Sequence, residues 1–359
     1  MVINVTKTFL PPPEEYLRWL EGVWETGWLT NRGQLVTTLE QELREFLGLD
    51  NILVVNNGTI ALQIAIRAMN LRGEIITTPF SYVATASSIV WEGCVPVFVD
   101  IDPQYLTIDE NKIENAITNQ TRAIIATHVY GNPCAVEAIK TIADRHSLRV
   151  IYDAAHCFAV RYQGESLLKW GDVSTLSFHA TKLFHTGEGG ALISNDPELR
   201  HPIYYMHNFG HNGPEDFFGL GINAKLSELN AAIGLAVLPY VERLIKERKD
   251  IYEGYCEQLK HQDVETINLR PGADWNYSYF PILLASETQL QNVRRRLNQE
   301  DIFPRRYFYP SLNNLPYAVV KEPCPVAEDI SMRVLCLPIF PGLAVDSVQR
   351  ISELVLEAL

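Results

Sequence analysis

The sequence predicts an α/β fold built on a large, mainly parallel, doubly wound sheet, followed by a smaller α+β unit. Two observations point there. Short β-rich runs alternate with helix-like stretches through the first part of the chain, and runs such as VPVFV are apolar almost throughout, as in strands buried on both faces. Past a long helical region this alternation stops and an aromatic- and proline-rich stretch begins.

Taken in order, strands are expected over residues 51–55, 74–78, 95–101, 123–130, 149–153, 173–178 and 191–194. Helices are expected over 35–47, 59–69 and 136–146, where apolar residues recur at three- and four-residue spacings and Gly or Asn punctuates the ends. A long helical region spans 224–259 with a break at Pro239. The domain change falls near Val241. Residues 1–240 then form the large domain, their N-terminal segment packing on the small one, and 241–359 form the small domain, with strands at 279–284 and 334–338 and helices at 288–299 and 345–356.

At 359 residues the chain exceeds one hydrophobic core, and 47% hydrophobic with 20% charged residues is a globular composition. Lys and Arg total 30 against 43 Asp and Glu, and a net charge of -13 disfavours a phosphate backbone or an anionic membrane as partner. No basic start followed by an apolar run and no span of about 18 apolar residues is present, which gives a cytoplasmic expectation. Cys94, Cys134, Cys157, Cys256, Cys324 and Cys336 lack CxxC or Cys/His ligand spacing, so they read as reduced thiols and no metal site is expected.

The chemistry concentrates at strand ends. In TLSFHATKLFHTGEGGAL, Lys182 follows a strand; a lysine there can lose hydration and act as a Schiff-base nucleophile, although a lone lysine is usually solvated. RVIYD ends in Asp153, followed by His156, at the strand edge where open α/β sheets bind ligands. A pyridine cofactor needs such an acid beside its ring nitrogen, while a capping or turn role is the alternative for Asp153. In VVNNGTIAL a strand passes through Gly58 and Thr59 into a helix whose first amides suit a phosphate, and Ser177 offers a further donor. Tyr82, after another strand, can lay its ring on a planar group or serve as a core aromatic. GEGG lacks GxGxxG spacing and reads as a tight turn, which argues against a dinucleotide oxidoreductase.

Together TGWLTNRG, NNGTIAL, ITTPFSYVATASSIVWEGCVPVFVDID, HVYGNP, VIYDAAH, LSFHATKLFHTGEGGALISND and GINAKLSELNAAIGL resemble the DegT/DnrJ/EryC1/StrS family of PLP-dependent sugar-nucleotide aminotransferases over nearly the whole chain. The resemblance implies a fold-type I enzyme with a large doubly wound mixed sheet and a smaller C-terminal α+β domain. It implies pyridoxal 5'-phosphate as cofactor, passing through pyridoxamine 5'-phosphate, with Lys182 as the cofactor lysine and Asp153 at the ring nitrogen. Tyr82 would stack on the ring, His156 would lie near the phenolic oxygen where many members have Gln, and Gly58, Thr59 and Ser177 would bind the phosphate. Asn223 would reach the phosphate from the neighbouring subunit of a homodimer with shared active sites.

DAAH and FHATKLFHT are similar to the branch acting on dTDP-linked 6-deoxyketohexoses. The implied reaction is ping-pong conversion of dTDP-4-keto-6-deoxy-D-glucose to dTDP-4-amino-4,6-dideoxy-D-glucose, with L-glutamate giving 2-oxoglutarate, in a pathway such as O-antigen synthesis. A C3 aminotransferase, another PLP reaction and a non-catalytic sugar-nucleotide-binding protein stay open. Related sugar dehydratases have histidine at the lysine position, and Lys182 argues against that activity. Trp28, Leu29, Thr30, His185, Arg305, Arg306, Tyr307 and Tyr309 are candidates for the sugar-nucleotide site, the arginines because their planar fork suits a diphosphate. His185 and Glu188, beside the lysine turn, either touch substrate or shape that turn.

Overall fold

The computed structural model describes residues 2–260, 264–318 and 323–359. Its centre is a 7-stranded sheet of β1 (Leu53–Val55), β2 (Glu74–Thr77), β3 (Val95–Phe98), β4 (Thr121–Thr127), β5 (Arg149–Asp153), β6 (Val173–Ser177) and β7 (Gly190–Ser194). The spatial order is β1-β7-β6-β5-β4-β2-β3. The strands from β6 to β3 pair in parallel, whereas β7 is antiparallel to both β6 and β1. No crossover helix separates β6 from β7, so the chain turns straight back and the sheet becomes mixed.

Around it lie α1 (Pro13–Thr26), α2 (Gln34–Leu47), α3 (Gly58–Ala68), α4 (Val83–Trp91), α5 (Val136–His146), α6 (Pro197–Met206) and α7 (Glu228–Val237). Strand alternation divides consecutive apolar residues between two cores. Val54, Ile76, Ile124, Val150 and Ile193 join the cluster containing residues of α1, α2, α5 and α7. Their neighbours Val55, Ile75, Ile125, Ile151 and Leu192 join the cluster containing residues of α3 and α6. Burial on both faces is what made these strands read as continuous apolar runs.

A turn of 3-10 helix at Leu238–Tyr240, holding Pro239, separates α7 from α8 (Val241–Gln258), as expected for a residue without an amide hydrogen. Beyond it come β8 (Val264–Thr266), β9 (Phe280–Leu284), α9 (Glu287–Asn298), α10 (Pro325–Arg333), β10 (Val334–Leu337) and α11 (Val345–Glu357). The strands form an antiparallel sheet in the order β8-β9-β10. Tyr255, Phe280, Leu290, Leu335 and Ile351 belong to its own core. The N-terminal strand Ile3–Asn4 pairs in parallel with Ile302–Phe303, and the Ile339 amide donates to the Val5 carbonyl at 3.1 Å.

Asp100, beyond β3, bonds across to α10. Its carboxylate accepts the amides of Val326 at 3.0 Å and Ala327 at 2.8 Å, capping the positive end of α10. Asp100→Ala is expected to lower stability by about 1.5–3 kcal/mol, the worth of hydrogen bonds to a charged group, read as a lower urea midpoint.

Candidate active site

Because β4, β5 and β6 run in parallel, their carboxyl ends share one edge of the sheet. Asp153 is the last residue of β5, in register with Thr127 on one side and Thr175 on the other. Its Oδ2 accepts a bond from the Thr85 hydroxyl at 2.6 Å and its Oδ1 one from the Ala155 amide at 3.2 Å. Behind Thr85 the hydroxyl of Ser81 lies at 2.8 Å, and that of Thr127 lies 3.0 Å from Ser81. Burial pushes the Asp153 carboxyl above the usual range, while the Thr85 bond, the Ala155 bond and the Lys182 charge pull it back.

Lys182 sits in the turn after β6, where its amide donates to the His179 carbonyl at 2.8 Å. Its Nζ donates to the Tyr279 hydroxyl at 3.2 Å. Burial lowers its pKa and the Asp153 charge opposes this, so an unprotonated, nucleophilic amine is more accessible than on a solvated lysine.

His156 is buried between Phe308, stacked at 5.6 Å, and the Tyr279 ring at 4.8 Å. Its Nδ1 accepts the Tyr130 amide at 3.1 Å. Burial, with Lys182 nearby, holds its pKa well below the ordinary value. The ring is therefore neutral with its proton on Nε2, and offers a donor where Gln would offer an amide.

At the start of α3, Asn57 Oδ1 accepts the Ile60 amide at 2.8 Å, leaving the first-turn amides of Gly58 and Thr59 without helical partners. A Cβ on Gly58 would stand 3.0 Å from Ser177 Cβ and 3.2 Å from the Leu176 carbonyl. A Cβ on Gly190 would meet the Asn57 carbonyl carbon at 2.6 Å, so the GEGG turn also lets β7 pass close to this helix start.

Gly58, Thr59, Tyr82, Asp153, His156, Ser177 and Lys182 line one cavity of about 720 Å³, which Glu188, Tyr279, Arg305 and Tyr307 also line. Tyr82 is 58% exposed at the N-cap of α4, which is not the placement of a core aromatic. The cavity therefore combines an amide-lined anion cradle, a carboxylate, an exposed aromatic ring and an amine. That donor set fits a phosphorylated pyridine aldehyde.

Other expected contacts lie elsewhere. Arg305 and Tyr307 line the cavity, but Arg306 between them does not. Arg306 donates to the Ser331 and Met332 carbonyls at 3.2 Å, pairs with Glu287 at 3.1 Å, and stacks over Tyr309 at 3.5 Å. His185 is buried, its Nε2 2.7 Å from the Phe9 carbonyl and its Nδ1 accepting the Gly187 amide. Arg306, Tyr309 and His185 are thus engaged in local contacts and do not line this cavity. Trp28, Leu29, Thr30 and Asn223 are exposed and outside this cavity. Thr85, Ser81 and Tyr279 were not anticipated. Tyr279 opens an expected strand and Ser81 follows one, whereas Thr85 lies within α4 and carries no such signal.

A nucleophilic lysine and a carboxylate at neighbouring strand ends, beside a helix-start anion cradle on a mixed sheet, define a fold-type I pyridoxal-phosphate enzyme. Residues 13–356 match the model of the DegT/DnrJ/EryC1/StrS aminotransferase family, and the chain belongs to that family. It is 44% identical over 361 residues to the dTDP-4-amino-4,6-dideoxy-D-glucose transaminase of Shigella dysenteriae, covering 99% of this chain and 98% of that one. It is similar to the crystal structure of DesI in the presence of its TDP-sugar product, with TM-score 0.94, 31% identity, and 99% and 93% of the two chains covered. It is also similar to NtdA of Bacillus subtilis with bound cofactor PMP, at TM-score 0.87, 27% identity, and 96% and 81% coverage. The protein is a sugar aminotransferase and its cofactor is pyridoxal 5'-phosphate.

Thr85→Val removes the 2.6 Å bond to Asp153 and with it one of the influences holding the carboxyl down. Cofactor affinity, measured by fluorescence titration, is expected to fall about tenfold, for a lost charge-assisted bond of about 1.5 kcal/mol. The acid limb of binding should also move to higher pH, because the carboxyl now protonates earlier as pH falls.

Proposed function

We propose that this enzyme transfers the amino group of L-glutamate to dTDP-4-keto-6-deoxy-D-glucose, giving dTDP-4-amino-4,6-dideoxy-D-glucose and 2-oxoglutarate. The observation that carries the reaction type is Lys182 in one cavity with Asp153 and the Gly58–Thr59 amides. The substrate rests on the relative with 44% identity.

In this reading Lys182 anchors the cofactor and, once displaced by the donor, carries the proton between carbon centres in both half-reactions. Asp153 keeps the ring nitrogen protonated, and the bonds from Thr85 and Ala155 hold that carboxylate in place. The Gly58 and Thr59 amides with Ser177 bind the phosphate, Tyr82 covers one ring face, and His156 donates from Nε2 to the phenolic oxygen. When bound, the pyridine ring supplies a sink for the electron pair released at the reacting carbon. Arg305 and Tyr307 contact the sugar nucleotide, with the Arg305 fork on the diphosphate.

The division at residues 240 and 241 puts the cofactor cradle in one unit and Tyr279, Arg305 and Tyr307 in the other. A homodimer completes each site: Asn223, Trp28, Leu29 and Thr30, exposed outside their own cavity, serve the partner's. An activated deoxyamino sugar of this kind suits cytoplasmic supply of a surface glycan such as the O-antigen of lipopolysaccharide.

Loaded with pyridoxal phosphate, the protein is expected to lose its yellow colour with L-glutamate and regain it with dTDP-4-keto-6-deoxy-D-glucose, the product carrying its amine at C4 by NMR. Persistent colour contradicts the donor, and an amine at C3 contradicts the regiochemistry. Arg305→Ala is expected to raise KM for the sugar nucleotide about tenfold, about 1.4 kcal/mol, with a smaller change for glutamate.

A further inference from the structure

We infer that Tyr279 is a positioning residue for Lys182, its hydroxyl holding the lysine amine in place while that amine carries the proton of the reaction. The inference rests on the transaminase reading above and extends it to a residue in the C-terminal part of the chain.

The geometry is direct. Lys182 Nζ lies 3.2 Å from Tyr279 Oη, and among the described residues this is the hydrogen bond that the amine makes. Asp153, Tyr307, Tyr82, Cys157 and His156 also lie around the lysine without hydrogen-bonding to its Nζ.

The chemistry asks for this kind of partner. A lysine that shuttles a proton alternates between ammonium, which only donates, and amine, which can accept. A phenol hydroxyl does both, so Tyr279 can accept from the ammonium and can donate to the lone pair of the amine, where a carboxylate or a carbonyl could only accept. Tyr279 is itself unsuited to be the acid or base, since burial pushes its phenol far above neutrality. Its role is to fix where the amine rests between transfers, and small misplacements of a reacting group are costly in rate.

The tyrosine does not depend on the lysine for its own position. It directly precedes β9, and its ring is clamped by His156 at 4.8 Å, Tyr130 at 5.5 Å and Tyr307 at 5.9 Å. Phenylalanine would keep all three ring contacts, so Tyr279→Phe separates the hydroxyl from the packing.

The test compares wild-type and Tyr279→Phe enzymes in two assays. In stopped flow with glutamate, the bleaching rate and kcat of the variant are expected to fall about 10- to 100-fold, with KM values and cofactor affinity within about threefold. The isotope effect with α-deuterated glutamate should rise as proton transfer becomes more rate-limiting. In the second assay pyridoxal phosphate is added to cofactor-free protein, and colour formation at Lys182 is expected to be about tenfold slower in the variant. This assay needs no amino donor, so it tests the inference even if glutamate fails to bleach the wild type, a result that would count against the proposed function alone. Tyr279→His, which restores a hydrogen-bonding edge, should recover part of the lost rate, and it serves also if the Phe variant does not fold. Wild-type rates in both assays for the Phe variant, or a rate loss matched by loss of cofactor affinity, would overturn the inference.

Discussion

Parallel pairing of β5 between β4 and β6 is the constraint on which the site depends. It sets Asp153 in register with Thr127 and Thr175 at the sheet edge, and it ends β6 where the following turn brings Lys182 into the same cavity. Burial acts oppositely on the two groups, raising the carboxyl pKa and lowering that of the ammonium, and each charge partly offsets the effect on the other. Each group therefore keeps its charged form more readily than it would if buried alone.

The supporting residues follow from the same arrangement. The hydroxyls of Thr85, Ser81 and Thr127 come from the start of α4 and the end of β4, which adjoin Asp153 only because the strand order places them there. Asn57 spends its side chain on the α3 cap and frees the next amides for an anion. His156 is kept neutral by burial and oriented by the Tyr130 amide, so that a titratable residue behaves as a fixed donor. The C-terminal part of the chain contributes Tyr279, Arg305 and Tyr307, and Asp100 beyond β3 bonds to α10.

Much of this was legible in the sequence. The large-sheet strands read correctly because both their faces are apolar; β5 and α5 matched to the residue, and the break at Pro239 followed from its missing amide hydrogen. Others left weaker signals. In α4, VATASSIVW is too uniformly small and apolar to show helical periodicity, and α6 carries Pro202 within it. Lys182, Asp153, Gly58 and Ser177 stood out in the sequence because strand-end chemistry has a local pattern, and they share one cavity. Tyr279 and Thr85 could not be, since each acts through a contact made across long stretches of chain. For His185 and Arg306 the direction of the side chain was not legible, because nearness in sequence to Lys182 or Arg305 says nothing about it. One proved to be locked to the Phe9 carbonyl and the other to Glu287.

The measurement that bears most directly on this account is borohydride reduction of the pyridoxal-phosphate-loaded protein, followed by peptide mass mapping. The account requires the phosphopyridoxyl group on the peptide containing Lys182, and its absence when the same protein is first treated with an excess of amino donor. Label on a different lysine, or on none, would contradict it.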